Sequence, residues 1–148
     1  MVTFRIVIII TIVLAFVSCT AVQVRPIDRS LNLEHVCIKE NSQVVVGDFL
    51  PILRDGFERR GISTLVFSGS KPEGCEFIVK YTALQSWDMS SYLSYAYISI
   101  ENNNGRRIAT AEYRLRNKGG LSLLKFRGTR AKMNPVIDEL LREYQIYY

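Results

Sequence analysis

The chain has 148 residues, of which 48% are hydrophobic and 22% charged, and its formal net charge is +5. These values are ordinary for a globular protein and exclude both a polytopic membrane protein and a disordered chain. The length is enough for one domain with a single sizeable core and too short for a second domain.

The N-terminus has the organisation of a secretory signal. Arg5 is followed by the twelve residues Ile6 to Val17, which are apolar except for one threonine. A membrane-spanning helix needs about 20 apolar residues, so the short run favours a secretory signal over an anchor helix.

The signal ends in a run that resembles the bacterial lipobox. Residues 16–19 read Phe-Val-Ser-Cys, with Phe in place of the usual Leu. The resemblance implies that residues 1–18 are removed and that Cys19 becomes the lipid-bearing first residue. Each buried CH₂ contributes about 0.8 kcal/mol, so two or three acyl chains give stable attachment to membrane lipid. Ordinary secretion and an uncleaved anchor remain alternatives.

Export changes the interpretation of the remaining cysteines, Cys37 and Cys75. An even pair of thiols in an oxidising compartment indicates a disulfide, which would close a loop of about 39 residues. Two buried free thiols are the alternative. A metal site is not predicted, because two cysteines and one distant histidine lack ligand spacing.

The first half of the chain predicts a tether, a strand and a helix. Residues 19–33 are polar and contain a proline, so we predict a lipidated tether, with an optional short strand at 21–25. Residues 34–39 are expected to form the first core strand. Asp48 is a suitable N-cap and Gly61 a suitable stop, which predicts a helix over 48–60 that Gly56 weakens slightly.

The second half predicts a meander and a final helix. Alternating apolar residues favour strands at 62–68, 75–86, 92–100 and 108–115, and residues 121–128 are either a short strand or an ordered loop. The final helix begins at Thr129 or at Asn134. The order β-α-β-β-β-β-α predicts an α+β fold over residues 34–148: a two-layer sandwich with a mainly antiparallel sheet of about five strands and two helices on one face.

No set of residues predicts an enzyme or a cofactor. His35 is the only histidine, and it stands beside a cysteine that we expect to be bridged. Five carboxylates that could pair for hydrolysis show no distinguishing spacing: Glu73, Glu76, Asp88, Glu101 and Glu112.

Aromatic residues near the end of a strand predict a partner contact. Trp87-Asp88 contains the sole tryptophan, and Tyr92 follows it. Aromatic side chains dominate binding hot spots, so we predict contact through Trp87, Asp88 and Tyr92, although this is also ordinary sheet architecture. The following tyrosines, Tyr95 and Tyr97, are expected on the opposite face from Tyr92, so they form no common stacking platform and nucleic-acid binding is not predicted.

Several runs resemble the Sbal-type family of small, uncharacterised proteobacterial lipoproteins. They are residues 36–41, 75–77, 81–83, 87–88, 111–113 and 135–141. The resemblance implies an envelope lipoprotein with a compact α+β domain, adds no substrate, and makes the bridge between Cys37 and Cys75 more plausible.

The sequence therefore predicts a non-enzymatic lipoprotein in the cell envelope. By the enterobacterial sorting rule, Thr20 after the lipidated cysteine favours the outer membrane, with the domain facing the periplasm. The expected partner is another envelope protein, lipopolysaccharide or peptidoglycan. The pI of about 9.2 permits contact with anionic surfaces, although the basic residues are interpreted as spread along the chain. The alternative function is an inhibitor or immunity-type lipoprotein that blocks an envelope-lytic enzyme.

Overall fold

A six-stranded mixed sheet and two helices form the two layers of the computed structural model, which describes residues 20–119 and 123–144. The predicted α+β class is confirmed, with six strands rather than about five. The elements are β1 (Thr20–Arg25), β2 (His35–Lys39), α1 (Phe49–Glu58), β3 (Ser63–Phe67), β4 (Ile78–Asp88), β5 (Ser90–Glu101), β6 (Arg107–Leu115) and α2 (Thr129–Leu140). Short 3-10 turns occupy Arg29–Leu31, Arg116–Gly119 and Leu123–Phe126.

The strands lie in the order β1-β6-β5-β4-β2-β3. The meander β4-β5-β6 is antiparallel, as predicted, and β1 adds to it antiparallel to β6. Strands β2, β3 and β4 are parallel, because α1 carries the chain back across the sheet between β2 and β3. Gly105, at φ 73°, supplies the left-handed turn residue between β5 and β6.

One face of the sheet packs against both helices and forms the core. Alternate strand residues point toward this face, as the period of a strand requires. The buried strand residues of this core are Val36, Ile38, Val79, Tyr81, Ala83, Leu93, Ala96, Ile98, Ile100, Ala109, Ala111 and Tyr113. The stripe predicted for the last helix is confirmed: Met133, Val136, Ile137, Leu140 and Leu141 are buried in the same cluster, and the half-buried Tyr144 packs against it.

Helix α2 begins at Thr129, so the longer of the two predicted helices is observed, with Pro135 inside it. Of the two predicted alternatives for residues 121–128, the described residues form an ordered loop and not a strand. Residues 123–126 form a 3-10 turn, and residues 121–122 lie outside the described part.

The predicted tether needs correction, because residues 20–33 belong to the folded domain. Strand β1 pairs with β6 over its whole length, from Thr20 opposite Leu115 to Arg25 opposite Thr110. Ile27 and Leu33 are buried in the core. The polar composition of this segment reflects an edge strand whose outward side chains meet solvent. Cys19 itself and the preceding signal lie outside the described residues.

Gly56 brings the two helices into close contact. A Cβ atom at this position would lie 2.5 Å from Cγ2 of Ile137, which is shorter than real carbon contacts. Packing therefore explains the glycine that weakens the helix prediction. Gly56 lowers the helix propensity of α1, but its lack of a side chain allows α2 to approach closely.

We expect Gly56→Ala to lower the free energy of unfolding by about 1–2 kcal/mol. Overpacking a core costs about 1–3 kcal/mol, and the better helix propensity of alanine returns up to about 1 kcal/mol of this. Urea unfolding measures the change. In an Ile137→Ala background the new methyl has room, so the same substitution should become neutral or stabilising. An equal loss in both backgrounds would contradict the steric explanation.

Candidate functional site

Four strand ends meet at one end of the sheet. Leu84 in β4 pairs with Tyr95 in β5, Tyr95 with Arg114 in β6, and Arg114 with Ala21 in β1. This end of the sheet therefore contains the end of β4, the start of β5, the end of β6 and the start of β1. We call it the Trp87 end, defined as Thr20, Leu115, residues 85–93 and the turn Leu123–Phe126.

Large apolar side chains project from the Trp87 end. Trp87 is 75% exposed, Met89 85%, Leu123 80% and Leu124 66%. The first three are the most exposed large hydrophobic residues in the described part of the chain. Single exposed hydrophobic residues are common, but several at one place indicate a contact surface.

The backbone of the β4–β5 turn holds Trp87 and Met89 outward. Asp88 pairs with Ser90, so Met89 alone makes the connection, and it does so at φ 62°. This left-handed region is unfavourable for a residue with a long side chain. A bulge between Leu84 and Gln85 shifts the register of the last β4 residues. The result is a tight tip that presents both apolar side chains to solvent.

Buried contacts fix the 3-10 turn 123–126 against this tip. Lys125 Nζ lies 2.5 Å from the Asp88 carboxylate, and Lys125 is only 8% exposed. Tyr92 packs edge-to-face on Phe126, with ring centroids 5.7 Å apart. The exposed Leu123 and Leu124 are thus carried beside the hairpin on a supported turn.

Two of the three predicted contact residues therefore have a structural role. Trp87 is exposed, and its contact with a partner stays a prediction. Tyr92 is buried at 4% exposure and cannot contact a partner, because the strand directs its ring under the turn 123–126. Asp88 holds Lys125, so its carboxylate is already engaged within the protein.

A second buried lysine, Lys132, contacts Tyr92 and the turn 123–126. Lys132 Nζ donates to the Leu93 carbonyl at 3.0 Å and to the Lys125 carbonyl, and it lies 5.5 Å from the centre of the Tyr92 ring. The side chain is on α2 and almost fully buried. Burial lowers the pKa of Lys132 from 10.5 to about 8, because the charged form loses its water.

The predicted disulfide between Cys37 and Cys75 is present in the structure. Its Cα atoms are 5.8 Å apart, and both cysteines are buried with Phe67 in a small cluster separate from the main core. Ile78 packs against this cluster. The bridge ties the loop after β3 to strand β2.

The residues with catalytic potential are not gathered into a catalytic group. The exposed His35 places Nδ1 2.8 Å from the Ser63 hydroxyl, and its other ring nitrogen lies 3.6 Å from Cys37 Sγ, which is bridged. The candidate carboxylates Asp88, Glu101 and Glu112 pair with different cations. No group of three potential metal ligands occurs within residues 20–119 and 123–144.

The sheet face away from the helices carries aromatic and charged residues. Tyr95 and Tyr97 lie here, paired with Arg114 and Glu112 of β6. The alternation that predicts Tyr92 on the opposite face is interrupted by the bulge between Leu84 and Gln85, beyond which Tyr92 pairs with Ser86. The Arg114 guanidinium stands over the Tyr95 ring at 4.8 Å, and Arg107 donates to the Tyr97 hydroxyl at 3.3 Å. Burial raises the pKa of Tyr95. We call this surface, defined by Tyr95, Tyr97, Arg107, Glu112 and Arg114, the open face.

Sequence reasoning missed Met89, Leu123 and Leu124. Met89 follows Trp87-Asp88 directly, and Leu123-Leu124 follow a Gly-Gly pair and precede a lysine. Apolar residues within turn sequences were the available signal. Met89 lies near Leu123 and Leu124 because the Lys125–Asp88 ion pair joins two segments that are 37 residues apart in the chain.

None of the helices in the described ranges is both long and apolar enough to span a bilayer.

Comparison with known proteins identifies a fold. No family model and no curated protein matches the sequence. The solved PelC dodecamer from Paraburkholderia phytofirmans matches with a TM-score of 0.58 and 11% identity, over 84% of this chain and 98% of PelC. The likeness shows the fold alone.

Two further solved structures are more distant. A variant of the same PelC has a TM-score of 0.49 and 10% identity, over 79% of this chain and 96% of PelC. A minor lipoprotein from Acinetobacter baumannii has a TM-score of 0.33 and 12% identity, over 76% of this chain and 89% of its own.

Proposed function

We propose that the protein is an exported lipoprotein whose domain is held at a membrane of the cell envelope by acylated Cys19, and that it binds another envelope component without catalysing a reaction. The observation that carries the proposal is the buried Cys37–Cys75 disulfide. Such bridges persist in oxidising compartments and are rare in the cytosol. Export is also what the signal-like residues 1–18 and the lipobox predict.

The anchor has a direct test in cells. Full-length protein expressed in a Gram-negative host with an alkyne fatty acid is expected to acquire the label and to fractionate with membranes. Cys19→Ala should lose the label, because the thioether has no sulfur to form on. Thr20→Ala is the matched control, since it changes the adjacent residue and leaves the acceptor intact. Labelling of Cys19→Ala equal to that of the unchanged protein would contradict the anchor.

The compartment is tested through the two other cysteines. Protein recovered from the envelope, denatured and treated with a maleimide is expected to label neither Cys37 nor Cys75 until a reductant is added. A pair that labels fully without reductant would show that the domain stays in a reducing compartment, which contradicts export.

The open face is the surface that we propose for the partner. Aromatic residues and arginine contribute most to binding energies at interfaces, and Tyr95, Tyr97 and Arg114 combine them on a face without helices. A photoreactive residue at position 97 is expected to give adducts in intact cells. The matched control is position 139, on the exposed side of α2 in the opposite layer. Adducts at 139 but none at 97 would contradict this assignment.

A further inference from the structure

We propose that the Trp87 end rests on the membrane surface, with Trp87, Met89, Leu123 and Leu124 inserted among anionic phospholipid head groups. The inference rests on the proposed anchor and deepens it. It assigns a second, non-covalent membrane contact and fixes which end of the domain faces the bilayer.

The proposed anchor joins the fold at the Trp87 end. Cys19 is bonded to Thr20, and consecutive Cα atoms are about 3.8 Å apart. Thr20 is the first residue of β1 and pairs with Leu115 at the Trp87 end. Because no tether separates the anchor from the sheet, acyl chains on Cys19 would draw this end of the domain to the head groups.

The exposed side chains at that end are of the kinds that insert into membrane interfaces. Tryptophan and other large apolar residues on turns insert at the interface between head groups and acyl chains, where the indole nitrogen stays hydrated. Trp87 and Met89 project from one segment, and Leu123 and Leu124 from another. A third segment adjoins them, since the carbonyl of Val45, 73% exposed, accepts from Gln85 at 3.5 Å.

The segment that runs through the Trp87 end is rich in basic residues. Residues 113–132 contain seven lysines and arginines and no acidic residue. The interpretation of the basic residues as evenly spread is therefore wrong for this stretch. Arg127 is exposed and lines an open cavity of about 260 Å³ together with Thr20, Val22 and Leu124. At the same end the Asp88 carboxylate is paired with Lys125. Within this stretch Arg114 and Arg130 are paired with Glu112 and Asp55, and Lys132 is buried. Arg116 and Arg127 are exposed, and their charge favours phosphate-bearing, anionic lipids.

The sole tryptophan makes the inference measurable in the intact protein. Full-length lipidated protein is reconstituted in vesicles of phosphatidylethanolamine and phosphatidylglycerol, with part of the lipid brominated near the top of the acyl chain. Trp87 emission is expected to shift to shorter wavelength and to lose most of its intensity to the bromine. Replacing phosphatidylglycerol by a zwitterionic lipid should reduce the quenching.

The matched control moves the tryptophan to the opposite end of the sheet. Trp87→Phe combined with Asn104→Trp places the indole on the exposed β5–β6 turn. The twelve residues of β5 separate the two ends by about 40 Å. Emission from position 104 is expected to match that of protein in detergent and to be unaffected by brominated lipid.

The outcomes separate this inference from the anchor itself. Acyl-labelled protein whose Trp87 is not quenched would overturn the membrane contact and leave the anchor intact. Equal quenching at positions 87 and 104 would overturn the proposed orientation. A blue shift that depends on protein concentration, without quenching by bromine, would assign the Trp87 end to self-association and overturn the inference. Quenching at 87 alone supports it.

Discussion

Replacing Cys37 and Cys75 together by alanine is expected to lower the free energy of unfolding by about 4 kcal/mol. In the chain-entropy account, a cross-link over a separation of 38 residues restricts the unfolded chain, and a loop of this length contributes about 4 kcal/mol. This is a large part of the 5–15 kcal/mol that typical domains possess. Equilibrium unfolding in guanidinium chloride, with and without the bridge, measures the difference.

The same experiment distinguishes the cross-link from the packing of the sulfur atoms. Both cysteines are buried beside Phe67, so alanine also removes some contacts. Unchanged protein studied with a reductant retains both sulfur atoms and loses only the bond. We expect it to unfold close to the double variant. If the reduced protein keeps the stability of the oxidised one, the bridge contributes little and the loss in the variant comes from packing.

Raising the pH from 8 to 10 is expected to increase the free energy of unfolding by about 2 kcal/mol through Lys132. Burial lowers the pKa of this lysine to about 8 in the folded protein, against 10.5 for the ordinary side chain. Between these values the unfolded chain binds the proton and the folded protein does not, so stability rises with pH. Each pH unit in this window corresponds to about 1.4 kcal/mol. Below about pH 7 Lys132 is charged in both states and contributes no slope.

The titration of buried tyrosines ends the rise of stability with pH. Burial raises the pKa of Tyr95, Tyr113 and Tyr144 above 10 in the folded protein. Above pH 10 the unfolded chain therefore loses phenolic protons first, and stability falls as pH rises. The free energy of unfolding is expected to pass through a maximum near pH 10.

Lys132→Met is the variant that tests the assignment. Methionine preserves much of the length of the side chain and removes the charge, so the rise between pH 8 and 10 should disappear. Lys80→Met is the matched control, because Lys80 is a half-exposed lysine paired with Glu101 on the sheet. A slope that survives in Lys132→Met would show that another group loses the proton.

Much of the fold could be predicted from local patterns. Alternation predicts β4, β5 and β6 with their order, and the apolar stripe predicts α2. The disulfide was one of two open alternatives, since chain spacing does not report whether two Cα atoms come within bridging distance. The candidate site was predicted only through Trp87. The prediction that Tyr92 contacts a partner was wrong, because Tyr92 is buried by the turn 123–126, which is remote in sequence.

Local sequence patterns specify the signal-like N-terminus, the α+β class, the strand and helix periodicities and the cationic stretch 113–132. The strand at residues 20–25 depends on long-range pairing, because its backbone partners lie in β6, about 90 residues away. That pairing places Thr20 at the same end of the sheet as Trp87. Periodicity specifies which face of a strand is buried, whereas long-range register specifies which strand ends lie together. The proposed membrane contact of this protein depends on the long-range register.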